Sequence, residues 1–359
     1  MTVRVGIVGT SWWADSMYLP ALADHPVGVV TALCGRRLEA AQNLADNWSV
    51  PHVFTDWVEM LDSGEIDAVI VAATNDTHAP VTNAALDRGM PVLCEKPIAT
   101  KPEEAARLGE RGATATVATM VPFTYRWMPT FVTAKQAIDD GLVGDVHHLT
   151  FRYMGQFGRD LTPAWRFDPN VPGAGIIADL GPHALHLAEW LNGPIVELGA
   201  LAAVRREPDR PTLDAEDTAW LNCRFANGSL GALQVCAMSW AGTPMGQIHD
   251  LDVHGTGGRL SAYNDWDATQ TVTFVPDGEA PPGRQLPLVV DDHVRMGNVH
   301  DTYRDVFRTT EAMTREWVTA IAQGRLVKPD LTDGARSQVL VDAALESVRR
   351  QGRLIDVTP

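Results

Sequence analysis

The sequence predicts an α/β protein: an N-terminal doubly wound parallel sheet, then a C-terminal α+β part built on a large, mostly antiparallel sheet. Three observations predict it. Short apolar runs alternate with helix-patterned segments from Val3 to Val121, the rhythm of strand–helix–strand crossovers. The run Asp67–Ala73 is apolar at nearly every position, as strands buried on both faces of a parallel sheet are. After residue 122 the alternation stops and strand-like runs follow one another. The expected division is 1–122 and 123–359, with closing helices over 301–350 in the second part.

In chain order, residues 3–9 read as a first strand, Trp12–Asp24 as a helix and 27–34 as a second strand. Leu38, Ala41, Leu44 and Ala45 share one helical face over 37–47. Val53-Phe54 is a short strand, and Trp57, Met60 and Leu61 mark a short helix. The buried run 67–73, a helix over 78–88 ending at Gly89, and a strand over 91–94 follow. A helix over 102–112 and a strand over 115–121 close the first part. The second part starts with a helix over 128–140 and a strand over 146–153. A Gly-, Pro- and aromatic-rich loop covers 155–173, and a helix covers 175–191. Strand patterns then occupy 195–206, 216–225, 230–238, 248–254, 258–263 and 270–275. A polar loop over 277–300 precedes two helices over 301–323 and 333–350. A sheet with helices on one face leaves the other to be covered, so a homodimer or homotetramer through this sheet is expected.

Composition excludes several classes. The net charge of -16 opposes nucleic acid and anionic lipid. No apolar run reaches a membrane span, and the chain enters its first strand at once, without a signal-like segment. Cys34, Cys94, Cys223 and Cys236 lie far apart in strand-like runs. They read as buried free thiols of a reducing compartment, which points to the cytoplasm.

Polar residues gather at the carboxyl ends of the predicted parallel strands, where such sheets bind ligands. The first turn is Gly9-Thr10-Ser11-Trp12-Trp13-Ala14. A dinucleotide fingerprint places glycine at its first, third and sixth positions. Gly9 matches, while Ser11 and Ala14 are small substitutes; any tight strand-to-helix turn is the competing reading. The second strand ends at Arg36 and Arg37, where an NAD enzyme carries an acid for the ribose. Two guanidinium groups suit a 2′-phosphate, so the preference leans to NADP over NAD. The fourth strand runs into Thr74, Asn75 and His78, candidates for the nicotinamide side, with His78 reading also as a helix N-cap or a packed histidine. The fifth ends at Glu95-Lys96-Pro97, and Lys96 is one of only four lysines in the chain.

A second cluster lies further on. Trp165 and Arg166 precede Asp179, His183 and His186, spaced by four and three. On one helix these three share a face, and ionisable groups on an inward face are costly unless used or paired. Histidine exchanges protons near neutral pH. Pro182 predicts a distorted first turn. Asp and two His could hold zinc or iron, but nothing else completes the set, so no metal is expected. His186 reads equally as a packed core histidine.

These motifs together resemble the oxidoreductase family that includes glucose–fructose oxidoreductase, inositol 2-dehydrogenase and the MocA rhizopine-catabolism protein. The resemblance covers essentially 3–357. It rests on Glu95-Lys96-Pro97, Arg126 with Pro129, Gly141-Leu142-Val143-Gly144, Trp165-Arg166, Gly173 and Gly175, Asp179 with His183, and Ser347–Gly352. The chain departs at Ser11 and Ala14, and has His186 where the family often has Asp.

The resemblance implies a Rossmann-type nucleotide domain and a second domain for substrate binding and assembly. It implies hydride transfer between NAD(P) and a secondary alcohol or ketone of a sugar, inositol or related polyol. Lys96, Asp179 and His183 carry over as active-site residues. His183 is the expected acid/base, Lys96 steadies alkoxide charge, Glu95 fixes the lysine or the nicotinamide ribose, and Asp179 tunes His183. Arg126, Trp165 and Arg166 are expected in the substrate wall. Two other functions compete: a non-catalytic nucleotide- and sugar-sensing regulator, and a reductase of a non-sugar carbonyl or dihydrodiol-type substrate.

Overall fold

The computed structural model describes residues 2–159, 164–168, 170–171, 173–205, 215–239, 246–266 and 270–358. The chain divides into two compact units, Met1–Pro122 with Arg304–Gln338, and Phe123–Tyr303 with Val339–Pro359. Arg304–Gln338 thus lies with the first unit, whereas the sequence pattern places the closing helices with the second.

The first unit carries a parallel sheet of β1 (Val3–Val8), β2 (Gly28–Cys34), β3 (His52–Phe54), β4 (Ala68–Val71), β5 (Val92–Cys94) and β6 (Thr119–Met120). Its order is β3-β2-β1-β4-β5-β6, so the winding reverses between β1 and β4. That reversal opens a crevice at the strands' carboxyl ends. All four residues of β4 are buried, as an apolar run between helix layers must be.

The first helix differs from the expected regular helix over 12–24. Trp12 and Trp13 are helical, Ala14–Tyr18 is a π turn, and Leu19–Leu22 is α-helical. Pro20 has no N–H, so the Ser16 carbonyl loses its helical donor. The Leu19 N–H bonds instead to the Ala14 carbonyl, and Arg308 supplies the Ser16 carbonyl with a guanidinium N–H at 2.6 Å. Arg315 donates to the Ala21 carbonyl at 2.9 Å. Trp317 donates to Ala118 at 3.1 Å, and the Val121 N–H, beyond β6, bonds to Pro329. The closing segment joins the first unit because it supplies donors and acceptors that this unit's own helix and edge strand lack.

The second unit is built on β7 (Val146–Gly155), β8 (Ile195–Ala203), β9 (Thr218–Phe225), β10 (Leu230–Cys236), β11 (Gln247–Gly255), β12 (Gly258–Asp265), β13 (Gln270–Pro276), β14 (Arg284–Leu286) and β15 (Ile355–Asp356). Among the described residues the order is β14-β13-β12-β11-β7-β10-β9-β8-β15. All pairs are antiparallel except β7 with β10. The helix Pro129–Asp139 packs on β12 and β13, and Gly181–Asn192 packs on β7 and β10. Beneath them lie Leu149, Phe151, Leu233, Val235, Leu251 and Leu260, all essentially buried. The other face exposes Leu201 and Trp220, cross-strand partners.

Two short strands and one helix break escape the sequence pattern. β14 lies inside the expected loop 277–300, and β15 pairs with β8 near the C-terminus. The expected helix 301–323 is two, Val299–Thr309 and Thr314–Gln323, separated at Thr310–Met313. Two- and three-residue edge strands are too short to show a period.

Candidate active site

The first candidate residues follow β1. Gly9 has φ +123, and a Cβ there would stand 2.2 Å from the Ala72 carbonyl oxygen. Only glycine lets the ends of β1 and β4 meet so closely. Thr10 is half-buried beside Gly35, Ser11 and Trp12 are exposed, Trp13 is half-buried, and Ala14 is fully buried at the start of the π turn. Trp12 and Trp13 sit with ring centroids 5.9 Å apart. Arg36 and Arg37 are exposed beyond β2, with Arg37 at the N-cap of the helix Leu38–Trp48.

The helix after β4 starts at Asn75, three residues earlier than the pattern predicts. Thr74 is its N-cap, and the Thr74 and Thr77 hydroxyls lie 3.2 Å apart. Asp76 is held below the usual carboxylate range, first by the Thr74 hydroxyl and further by the nearby Arg36. His78 is 1% exposed. Its Nδ1 is 2.7 Å from the Pro97 carbonyl and its Nε2 3.2 Å from the Ala73 carbonyl. Burial lowers its pKa. The neutral ring carries one N–H and donates to only one of these carbonyls, and His78 packs between the β4 turn and the corner after β5.

That corner is Glu95-Lys96-Pro97. The Glu95 N–H bonds to Val71 at 3.0 Å. Its carboxylate accepts the Tyr18 hydroxyl at 2.5 Å on one oxygen and the Lys96 backbone N–H at 3.1 Å on the other. Lys96 is half-buried.

In the second unit, the expected helix over 175–191 is broken. Ile176–Asp179 and Gly181–Asn192 are separate helices joined at Leu180. Pro182 lacks the N–H that a continuous helix would aim at the Ala178 carbonyl. Asp179 therefore ends one helix and His183 stands in the first turn of the next. Asp179, His183 and His186 are each 8% exposed. Arg166 donates from Nε to Asp179 at 2.7 Å, and its guanidinium lies 5.7 Å from the centre of the Phe157 ring. The His183 ring lies 5.0 Å from Tyr125, and His186 stacks on Phe123 at 4.1 Å. Arg126 turns its guanidinium onto Trp190, 5.2 Å from the ring centre. Trp190 stands about 10 Å along the helix from His183. The Trp165 side chain falls outside the described residues.

Sequence reasoning misses four residues here. Tyr18 is hidden by the unforeseen π turn. Tyr125 and Tyr153 are buried, with pKa values pushed up by burial, and both feel the charge of Asp179. They are neutral hydroxyls at any working pH. His249 is fully buried between them, 4.7 Å from Tyr125 and 5.1 Å from Tyr153. The alternation of β7 and β11 could have placed Tyr153 and His249 on the inner face, since Phe151, Tyr153, His249 and Leu251 keep one parity in each strand. Among the described residues no group of three or more His, Cys, Asp or Glu side chains could hold a metal ion. No helix among them is long and apolar enough to cross a membrane. All four cysteines are free and buried, and burial pushes Cys94 up to about 12.

Comparison with known proteins accords with this geometry. Residues 3–123 match the model of an oxidoreductase family with an NAD-binding Rossmann fold, and 131–261 match the GFO/IDH/MocA C-terminal domain. Levoglucosan dehydrogenase of Pseudarthrobacter phenanthrenivorans is 25% identical over 87% of this chain and 86% of its own. Inositol 2-dehydrogenase 2 of Saccharopolyspora erythraea is 29% identical over 97% of this chain and 94% of its own. A levoglucosan dehydrogenase solved with NADH and levoglucosan superposes with a TM-score of 0.85 at 23% identity, over 100% of both chains, which carries the fold. The chain belongs to the GFO/IDH/MocA family of oxidoreductases, with its NAD-binding Rossmann fold in the first unit and the family's C-terminal sheet domain in the second.

Proposed function

We propose that the protein is an NAD(P)-dependent dehydrogenase or reductase. It moves a hydride between the nicotinamide and a secondary alcohol or ketone of a sugar, inositol or related polyol. The observation that carries the substrate class is the second unit's arc. Asp179 and His183, both nearly buried, stand with the neutral hydroxyls of Tyr125 and Tyr153 in aromatic surroundings. Aromatic faces beside hydrogen-bonding groups suit a polyhydroxylated ring. The relatives' names, levoglucosan and inositol dehydrogenases, point the same way.

The first unit takes the dinucleotide, and the second takes the substrate and carries assembly. The fit to a dinucleotide rests on the reversal between β1 and β4 and on Gly9, whose close approach to Ala72 leaves no room for a side chain. Gly9, Thr10, Ser11, Trp12 and Trp13 line the phosphate turn, and Thr74 and Asn75 follow β4 at the same end. When bound, the nicotinamide supplies the hydride acceptor or donor. His183 takes the hydroxyl proton in oxidation and returns it in reduction. Lys96 donates to the same oxygen and stabilises its alkoxide character. Asp179, held by Arg166, binds a neighbouring hydroxyl and tunes His183. Arg36 and Arg37 favour NADP, although NADH is the cofactor in the similar levoglucosan dehydrogenase complex.

The substrate partner is a small polyol, and the charge of -16 argues against nucleic acid. Assembly is a homodimer or homotetramer through the face bearing Leu201 and Trp220. Buried free thiols fit the cytoplasm. Titration with NADPH and NADH by nicotinamide fluorescence tests the cofactor reading. Tighter binding of NADPH, lost on Arg36→Ala/Arg37→Ala, is expected; a preference for NADH would overturn the arginine assignment. Binding without turnover on any sugar or polyol would favour a sensing protein.

A further inference from the structure

We propose that Tyr18 is a positioning residue for the Lys96 corner, delivered there by the π turn and acting through Glu95. The inference rests on the reading of Lys96 as an active-site residue.

The local sequence makes the device. Here Met17, Tyr18 and Leu19 are all buried, at 2%, 0% and 2%. The π turn spreads one extra residue over Ala14–Tyr18, the irregularity that recurs at functional sites. Pro20 sets it up by denying the Ser16 carbonyl its helical donor, and Arg308 stabilises it by donating to that carbonyl at 2.6 Å. The outcome is a fully buried tyrosine ring whose hydroxyl is the only polar atom of the side chain.

That hydroxyl ends on Glu95, 2.5 Å from Oε1. The other Glu95 oxygen takes the Lys96 N–H at 3.1 Å, and the Glu95 backbone is tied to Val71 at 3.0 Å. On the far side of Lys96, His78 holds the Pro97 carbonyl at 2.7 Å. The lysine backbone is therefore fixed from both directions, and Tyr18 is the anchor on the upstream side. A hydrogen bond to a carboxylate is short and directional, so it sets the carboxylate's rotation as well as its place. Without it Glu95 is free to turn about its last torsion, and the Lys96 N–H loses a fixed partner. An error of about 1 Å in a positioned group is enough to cost a large factor in rate.

The test uses the intact protein with NAD(P) and whichever polyol it turns over. Six proteins are compared: wild type, Tyr18→Phe, Met17→Leu, Lys96→Ala, Glu95→Gln and Tyr18→Phe/Glu95→Gln. Measured are kcat, KM, cofactor Kd, melting temperature and the primary deuterium isotope effect with substrate labelled at the oxidised carbon. Tyr18→Phe removes one oxygen from a buried ring. It should lower kcat at least tenfold, leave cofactor Kd within twofold and raise the isotope effect on kcat, because the chemical step becomes slower. Met17→Leu, a packing change in the same turn, should leave kcat unchanged. In a Glu95→Gln background Tyr18→Phe should add nothing further. The proposal fails if Tyr18→Phe lowers only the melting temperature, if Met17→Leu slows turnover as much, or if the two losses at Tyr18 and Glu95 multiply. Should Tyr18→Phe not fold, Pro20→Ala tests the same chain: restoring the α-helical bond should turn Tyr18 away and slow turnover, and unchanged turnover would sink the idea. Lys96→Ala separates the two readings. If it abolishes turnover while Tyr18→Phe leaves kcat unchanged, only the Tyr18 inference falls; if Lys96→Ala is fully active, the reading of Lys96 falls with it.

Discussion

At the residue scale, Gly9 and His249 make opposite demands. Gly9 combines a left-handed backbone with an approach that leaves no room for a Cβ. Gly9→Ala should cost more than about 2 kcal/mol and abolish nucleotide binding, readable by urea unfolding and by fluorescence titration. Its importance is visible in the sequence, because a glycine directly after an apolar strand marks a turn too tight for a side chain. His249 is not visible in that way. A lone histidine in a strand announces neither its face nor its surroundings, and here Tyr125, Tyr153, Trp266 and Phe131 surround it. Burial lowers its pKa from 6.5 to about 3. Between those values the unfolded chain binds a proton that the native protein does not, so stability is complete above about pH 6.5 and falls as pH drops toward 3. His249→Gln should remove this part of the acid sensitivity. Between pH 7 and 4.5 the variant should lose about 2 kcal/mol less than the wild type in urea unfolding; equal losses would mean that His249 is protonated in the native state.

At the scale of elements, the alternation is readable from residue 3 to residue 121 because short apolar runs recur between helix-patterned segments, even where the strand itself is only two or three residues long. The irregular pieces are not. The π turn and the break at Leu180 each follow from one missing or redirected hydrogen bond, which periodicity does not register. Pro182 did announce its break, since proline acts locally; Pro20 acted by handing a carbonyl to an arginine nearly three hundred residues away. The same holds for Arg315, which donates to Ala21, to Arg308 and to Asp24. Arg315→Ala leaves two backbone carbonyls without that donor, and should destabilise the protein by about 2–4 kcal/mol. A melting temperature unchanged from wild type would show that water replaces the guanidinium at no cost.

At the scale of the molecule, the order of motifs identifies the family more securely than any one of them, because the glycine fingerprint keeps only Gly9. The candidate residues were legible as types and spacing: Glu95, Lys96, Asp179 and His183 all stand at strand or helix ends. Their supporting hydroxyls, Tyr18, Tyr125 and Tyr153, were not, since they arrive through tertiary packing. The outer face of the second unit's sheet exposes Leu201 at 60% and its cross-strand partner Trp220 at 48%, and it is there that a copy of the chain would bind. If the proposed assembly through this face is right, light scattering should show an oligomer for the wild type and a monomer for Leu201→Glu/Trp220→Glu; equal masses would contradict it.

The central claim, that this chain is a polyol dehydrogenase with Lys96 at the reacting oxygen, is tested most directly by one comparison. Wild type and Lys96→Ala are assayed by nicotinamide absorbance with NADP and NAD against neutral sugars, anhydrosugars and inositols. The account predicts that at least one polyol is oxidised by the wild type. It predicts that Lys96→Ala retains cofactor binding while turnover falls by about 10²–10³. Undiminished turnover in Lys96→Ala, or a wild type that binds cofactor and turns over none of them, would contradict it.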